Sequence, residues 1–178
     1  MGAPTGYHRR RVSSSSIPSY GATGVRFIAK GKDFYFASWR QVYILDWRDA
    51  ATREGLDASV LGKRTVLGDH PDGVYVYNIL DGSKGLPDAE IRAYAERKQN
   101  EDPHGVLCHL TVVRGDGFRS STLRSMLAGL YMVSRAKYPR KVMGTLEEGA
   151  GWMETLSKGG PPWTEQLVQA LYHVRRAT

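Results

Sequence analysis

Three arginines, two glycines and a run of hydroxyl side chains fall within eleven residues, Arg114-Gly115-Asp116-Gly117-Phe118-Arg119-Ser120-Ser121-Thr122-Leu123-Arg124. Glycines let a backbone approach a ligand closely. A helix beginning just after them presents unpaired N–H groups and a positive dipole end, both suited to an anion. Arginine forks add charge-assisted hydrogen bonds to phosphate or carboxylate. Arg114, Gly115, Asp116, Gly117, Arg119, Ser120, Ser121 and Arg124 are therefore the expected binding residues, for an anionic small ligand or an acidic partner. The plainer account is a glycine turn, a serine cap and solvated arginines, but three arginines exceed what a cap needs.

Other reactive types group less well. His104, Cys108 and His109 suggest a metal, yet on a strand Cys108 and His109 point to opposite faces, and zinc wants four convergent ligands. Asp69-His70 and Ser120-Ser121 suggest a hydrolase, but no Gly-x-Ser-x-Gly elbow and no phosphate loop with Gly-Lys accompanies them. No catalytic residue, metal or cofactor is expected, and the chain is read as a binding protein, not an enzyme. Lys137, Arg140 and Lys141 sit where a helix C-terminus favours cations without any ligand. Trp39, Trp47, Tyr35 and Tyr43 are expected in the core or an interface, not as base-stacking platforms.

The arginine-rich turn is held by an apolar run, Val106 to Val113, and a helix over about Arg119 to Ala136. The run is apolar throughout, as in a strand buried on both faces. The helix repeats Leu123, Met126, Leu127, Leu130 and Val133 at helical spacing. Upstream, Phe34-Tyr35-Phe36 and Val42-Tyr43-Ile44-Leu45 read as a hairpin, followed by a helix capped by Thr52 and a strand over Val74 to Ile79. Pro87, Asp88 and Glu90 open a helix running to about Asn100. Lys141 to Met143 is a short strand, Leu146 to Leu156 a helix, and Thr164 to Arg176 a last amphipathic helix. The order predicts an α/β fold, a mixed central sheet of about five strands with packed helices.

Composition sets outer bounds. The 178 residues fit one domain with tails, and 41% hydrophobic content suits a globular core. Cys108 is the one cysteine, as expected of a reducing, cytoplasmic setting. The basic start lacks a signal-peptide apolar run, and no stretch approaches the ~20 apolar residues of a transmembrane span. Net charge is +7, which favours anionic partners. Residues 1–24, Ser/Gly/Pro-rich with His8 and Arg9 to Arg11, are expected as a disordered basic tail. Residues 25–157 form the α/β domain and 158–178 a helical extension.

From Phe34 to Trp152 the chain resembles a STAS domain, the fold of bacterial anti-anti-sigma factors. It is similar to their sporulation-antagonist-like subgroup, with remote kinship to Sec14-type lipid-binding domains. The resemblance rests on element order and on two stretches, Val112 to Arg119 and Lys141 to Trp152. It implies regulatory protein–protein contact, sometimes with nucleotide or lipid binding, and no intrinsic catalysis. Phosphorylated members carry an Asp-Ser pair at the turn after the central strand. Here Asp116 and Ser120 are separated, and Ser120 and Ser121 are the candidate phosphorylation sites. The expected function is thus a non-catalytic regulatory module with a protein partner. The alternative is nucleic-acid binding through the basic tail, Arg175-Arg176 and the arginine turn, although no nucleic-acid motif accompanies them.

Overall fold

The computed structural model describes residues 24–85, 87–101, 104–133, 136–157 and 162–177. The expected basic tail therefore lies outside the described residues, apart from Gly24. Six strands run in chain order across one mixed sheet: β1 (Val25–Lys30), β2 (Phe34–Trp39), β3 (Val42–Trp47), β4 (Val74–Asp81), β5 (Val106–Arg114) and β6 (Arg140–Met143). The first three form an antiparallel meander, and β3 to β6 are parallel. The expected mixed sheet with packed helices is present, with one strand more than foreseen. That strand is β1, an edge strand whose alternation a bulge between Phe27 and Ala29 interrupts.

Three helices return the chain between parallel neighbours: α1 (Arg53–Asp69), α2 (Ala89–Glu101) and α3 (Phe118–Val133). Successive crossovers that step in one direction and keep the usual right hand must lie on one face. The other face then needs cover from elsewhere. It comes from α4 (Leu146–Thr155) and α5 (Thr164–Arg176). Leu146, Ala150 and Met153 of α4, with Leu167, Ala170, Leu171 and Val174 of α5, pack on Ile44, Tyr77, Leu110 and Val112 in one buried cluster. The 158–178 segment, expected as an extension, thus supplies a helix integral to the core.

The α5 layer is fastened at both ends. The Glu154 carboxylate accepts from the backbone N–H of Trp163 at 3.1 Å and of Thr164 at 2.6 Å, and from the Thr164 hydroxyl. That caps the helix start and suits its dipole. At the other end, fully buried Asp46 pairs with Arg48 at 2.7 Å and with Arg175. Burial pushes the Asp46 carboxyl up, against the downward pull of Arg175 and Arg48. Arg48 also donates to the Val174 carbonyl at 2.8 Å.

The crossover face is held differently. Helix α1 sits close, because Gly62 has no side chain where a Cβ would lie 2.2 Å from the Tyr43 hydroxyl. Val66 joins Phe36, Tyr43, Leu45, Trp47 and Val76 in the second core cluster. Helix α2 begins with Asp88 accepting from the Ile91 N–H at 2.8 Å, and it leans on α1 through polar contacts. Tyr94 donates to Asp57 at 2.8 Å, Lys98 pairs with Asp57 at 3.0 Å, and Arg53 pairs with Glu90. Exposed pairs of this kind contribute about 0–1 kcal/mol each.

The stripe expected to bury α3 does so only at Leu123. Leu130 is 51% and Val133 79% exposed, and Met126 is exposed too. Tyr35 is partly buried, while Trp39, Trp47 and Tyr43 are core residues as expected.

Candidate functional site

The arginine-rich turn forms where expected, at the carboxyl end of β5. Gly115 and Gly117 have φ of 106° and 96°, which side chains rarely adopt. The eight residues do not all converge, however. Arg124 turns inward and donates to the carbonyls of Val113 at 3.0 Å and Gly115 at 3.1 Å, and to the Ser121 hydroxyl at 3.1 Å. It serves the loop's own backbone. Arg114 alternates with Val113 toward the α4/α5 face, where the Asp46 pKa is raised by burial and that of Asp81 is lowered chiefly by hydrogen bonds from Ser83, with Arg114 a lesser downward pull on both. Arg119 and Asp116 are exposed, with no hydrogen bond or ion pair among the described residues. Ser120 is 2% exposed and packs against Gly82 and Gly115. Phosphorylation there would require the turn to open, whereas the Ser121 side is exposed.

Cys108 and His109 do point to opposite faces: Cys108 belongs to the α4/α5 core and His109 lines the crossover face. Burial pushes the Cys108 thiol up to about 12, so it stays protonated and inert. His70 closes α1 at the amino end of β4, the opposite end of the sheet from Ser120.

The concave site lies elsewhere, between α2 and α3. Because α2 leans on α1 and α3 packs over β5 and β6, a cleft of about 760 Å³ opens above β3, β4 and β5. That volume suits a drug-sized molecule. Leu45, Trp47, Val76, Asn78, His109 and Thr111 form its floor, one set of alternate positions on the three strands. The walls are mainly apolar, with Val60 of α1, Ile91 and Ala95 of α2, and Leu127 and Leu130 of α3.

Across that floor runs a polar chain. Strand register sets Leu45 beside Asn78 and Asn78 beside Thr111. The Trp47 indole donates to Asn78 Oδ1 at 3.0 Å, and Asn78 Nδ2 donates to Thr111 Oγ1 at 3.3 Å. Thr111 Oγ1 lies 2.7 Å from the Tyr131 hydroxyl of α3. His109 stands edge-on to the Tyr131 ring, and Arg140 lies over the same ring. Burial, and secondarily the Arg140 charge, press the His109 imidazole down to about 3. It is therefore neutral at physiological pH. Its Nε2 has no hydrogen-bond partner among the described residues.

Three of the lining cations have partners. Lys84 pairs with Asp49 at 3.5 Å, Arg92 donates to the Pro87 carbonyl at 2.9 Å, and Arg140 donates to the Tyr138 hydroxyl at 3.0 Å. Sequence reading overlooked this floor, although a signal was present. Asn78, His109 and Thr111 are polar residues set inside otherwise apolar strands.

No protein-family model, curated protein or solved structure matches this chain. Its site must speak through its own geometry.

Proposed function

We propose that the chain is a non-catalytic regulatory binding module, in line with its resemblance to STAS domains, and that its ligand sits in the cleft between α2 and α3. The polar chain from Trp47 to Tyr131, buried on an otherwise apolar floor, is the observation that carries this reading. Pockets that bind small molecules combine apolar walls with a few placed polar groups. Occupancy would reach a protein partner through α3, which carries exposed Met126, Leu130 and Val133 on its length and Arg119 and Ser121 at its start. An anion at the Gly115–Ser121 turn then becomes a matter of Arg119 and exposed backbone, since Arg124 is committed to the loop. Of the C-terminal arginines in the nucleic-acid alternative, Arg175 is paired with Asp46, while Arg176 is exposed.

The test is a titration with Nile red, a neutral apolar dye whose emission rises on leaving water. Saturable binding of one equivalent is expected, weakened about tenfold or more by Ala93→Trp. Ala93 lines the cleft from the exposed side of α2, so melting temperature should hold. Non-saturable binding, or equal affinity in the variant, would move the ligand site away from the cleft.

A further inference from the structure

The hydrogen bonds of the cleft floor leave protons without an acceptor. The Trp47 indole only donates, so the oxygen of Asn78 must face it and the amide nitrogen must face Thr111. That nitrogen carries two N–H groups, and one is used on Thr111. The Thr111 and Tyr131 hydroxyls bring two protons to a single 2.7 Å contact. One of those protons has no place in that contact, whichever oxygen donates. Two donors are therefore left over along the polar chain from Trp47 to Tyr131, the second N–H of Asn78 and one hydroxyl proton. The neighbouring His109 Nε2 is also without a partner among the described residues.

We infer that the cleft selects a neutral, largely apolar molecule carrying a hydrogen-bond acceptor, such as a ketone, ester or amide carbonyl, seated over the Asn78 amide. This deepens the reading of the cleft as the ligand site and rests on it. An acceptor satisfies the second Asn78 N–H, and a donor covered without a partner would penalise an occupant lacking one. Neutrality follows from the surroundings. Asn78 and Thr111 stand among Leu45, Val76, Leu80 and Leu127, where an unpaired carboxylate would be poorly solvated. Lys84, Arg92 and Arg140 each already have a partner. His109, held neutral by burial, adds no cation to the floor.

Matched naphthalenes separate these terms by displacement of Nile red. 2-Acetylnaphthalene carries the carbonyl, 2-isopropylnaphthalene is its near-isosteric hydrocarbon, and 2-naphthoate carries a charge. The ketone should bind about tenfold more tightly than the hydrocarbon, and the naphthoate no better than the ketone. Asn78→Asp should erase the ketone preference while sparing the hydrocarbon. The introduced carboxylate would accept from both Trp47 and Thr111, freeing Thr111 Oγ1 to accept from Tyr131, so that no donor is left over. In wild type, the Asn78 side-chain amide signals should move downfield in nitrogen–proton correlation spectra with the ketone and not with the hydrocarbon. That measurement stands even if the variant folds poorly. Equal affinity for ketone and hydrocarbon, or tighter binding of naphthoate, overturns the acceptor rule and leaves the cleft as ligand site. Failure of every naphthalene to bind overturns both.

Discussion

The two faces of the sheet are built from the same kind of strand and finished in opposite ways. On one, α4 and α5 send small and branched apolar residues into the sheet, and Leu167, Ala170, Leu171 and Val174 are wholly buried. On the other, α1 is packed, but α2 is held by surface pairs, and α3 by one buried apolar side chain with polar contacts from Tyr131 and Arg124. The alternation of strand residues repeats the contrast. Tyr77, Ile79, Leu110 and Val112 point to the closed face, and Asn78, His109 and Thr111 to the open one. Polar residues on a sheet are tolerated where a ligand or solvent can meet them, and apolar ones where a helix covers them. One layer is there to stabilise, and the other is left incomplete.

The largest effect that should expose this difference is Leu171→Ala, which opens a void in the closed layer. A loss of about 2–5 kcal/mol in denaturant unfolding is expected. A loss below about 1 kcal/mol would mean α5 is not the seal it looks to be. Next comes acid. The folded His109 holds its proton only near pH 3, against about 6.5 when unfolded. The unfolded chain therefore binds the extra proton between those values. The His109 contribution is constant above about pH 6.5, and stability falls as pH drops toward 3, at up to about 1.4 kcal/mol per pH unit. His109→Leu should remove that part of the slope, by about 2 kcal/mol at pH 5. Parallel stability profiles of the two proteins over this range would sink the idea. The smallest effect should come from Leu130→Ala on α3. A change within about 0.5 kcal/mol is expected, with Nile red affinity lowered instead. A core-sized loss of stability would place Leu130 in the closed architecture and break the contrast.

Much of the fold was legible in the chain because local signals agreed. The unbroken apolar run at Val106 to Val113, the turn residues around Asp81 to Gly85 and Pro87 with Asp88 all sit where elements change. The first strand escaped because its bulge at Phe27 to Ala29 spoils the period of two. Helix α3 misled for the opposite reason. Its stripe is regular, but regular spacing says that one face is apolar and not that anything covers it. The glycine turn was found because Gly115 and Gly117 act locally, through backbone conformation. The cleft floor was not, because Trp47, Asn78 and Thr111 are brought together only by strand register. Nothing about their spacing along the chain marks them as neighbours.

The Asp46 ion pairs carry a consequence in time. Asp46 and Arg175 are separated by 129 residues, while each crossover on the open face joins strands consecutive in the chain. Contacts of long sequence separation pay more loop entropy before they reward the chain, and they tend to form slowly. The sealing of the α4/α5 layer is thus expected to lag behind the parallel strands and α1 during refolding. Pulsed hydrogen exchange reads this directly: amides of α5 protected no later than those of α1 would contradict it. On that order of events, the cleft between α2 and α3 takes shape on a sheet whose reverse side is still open to water.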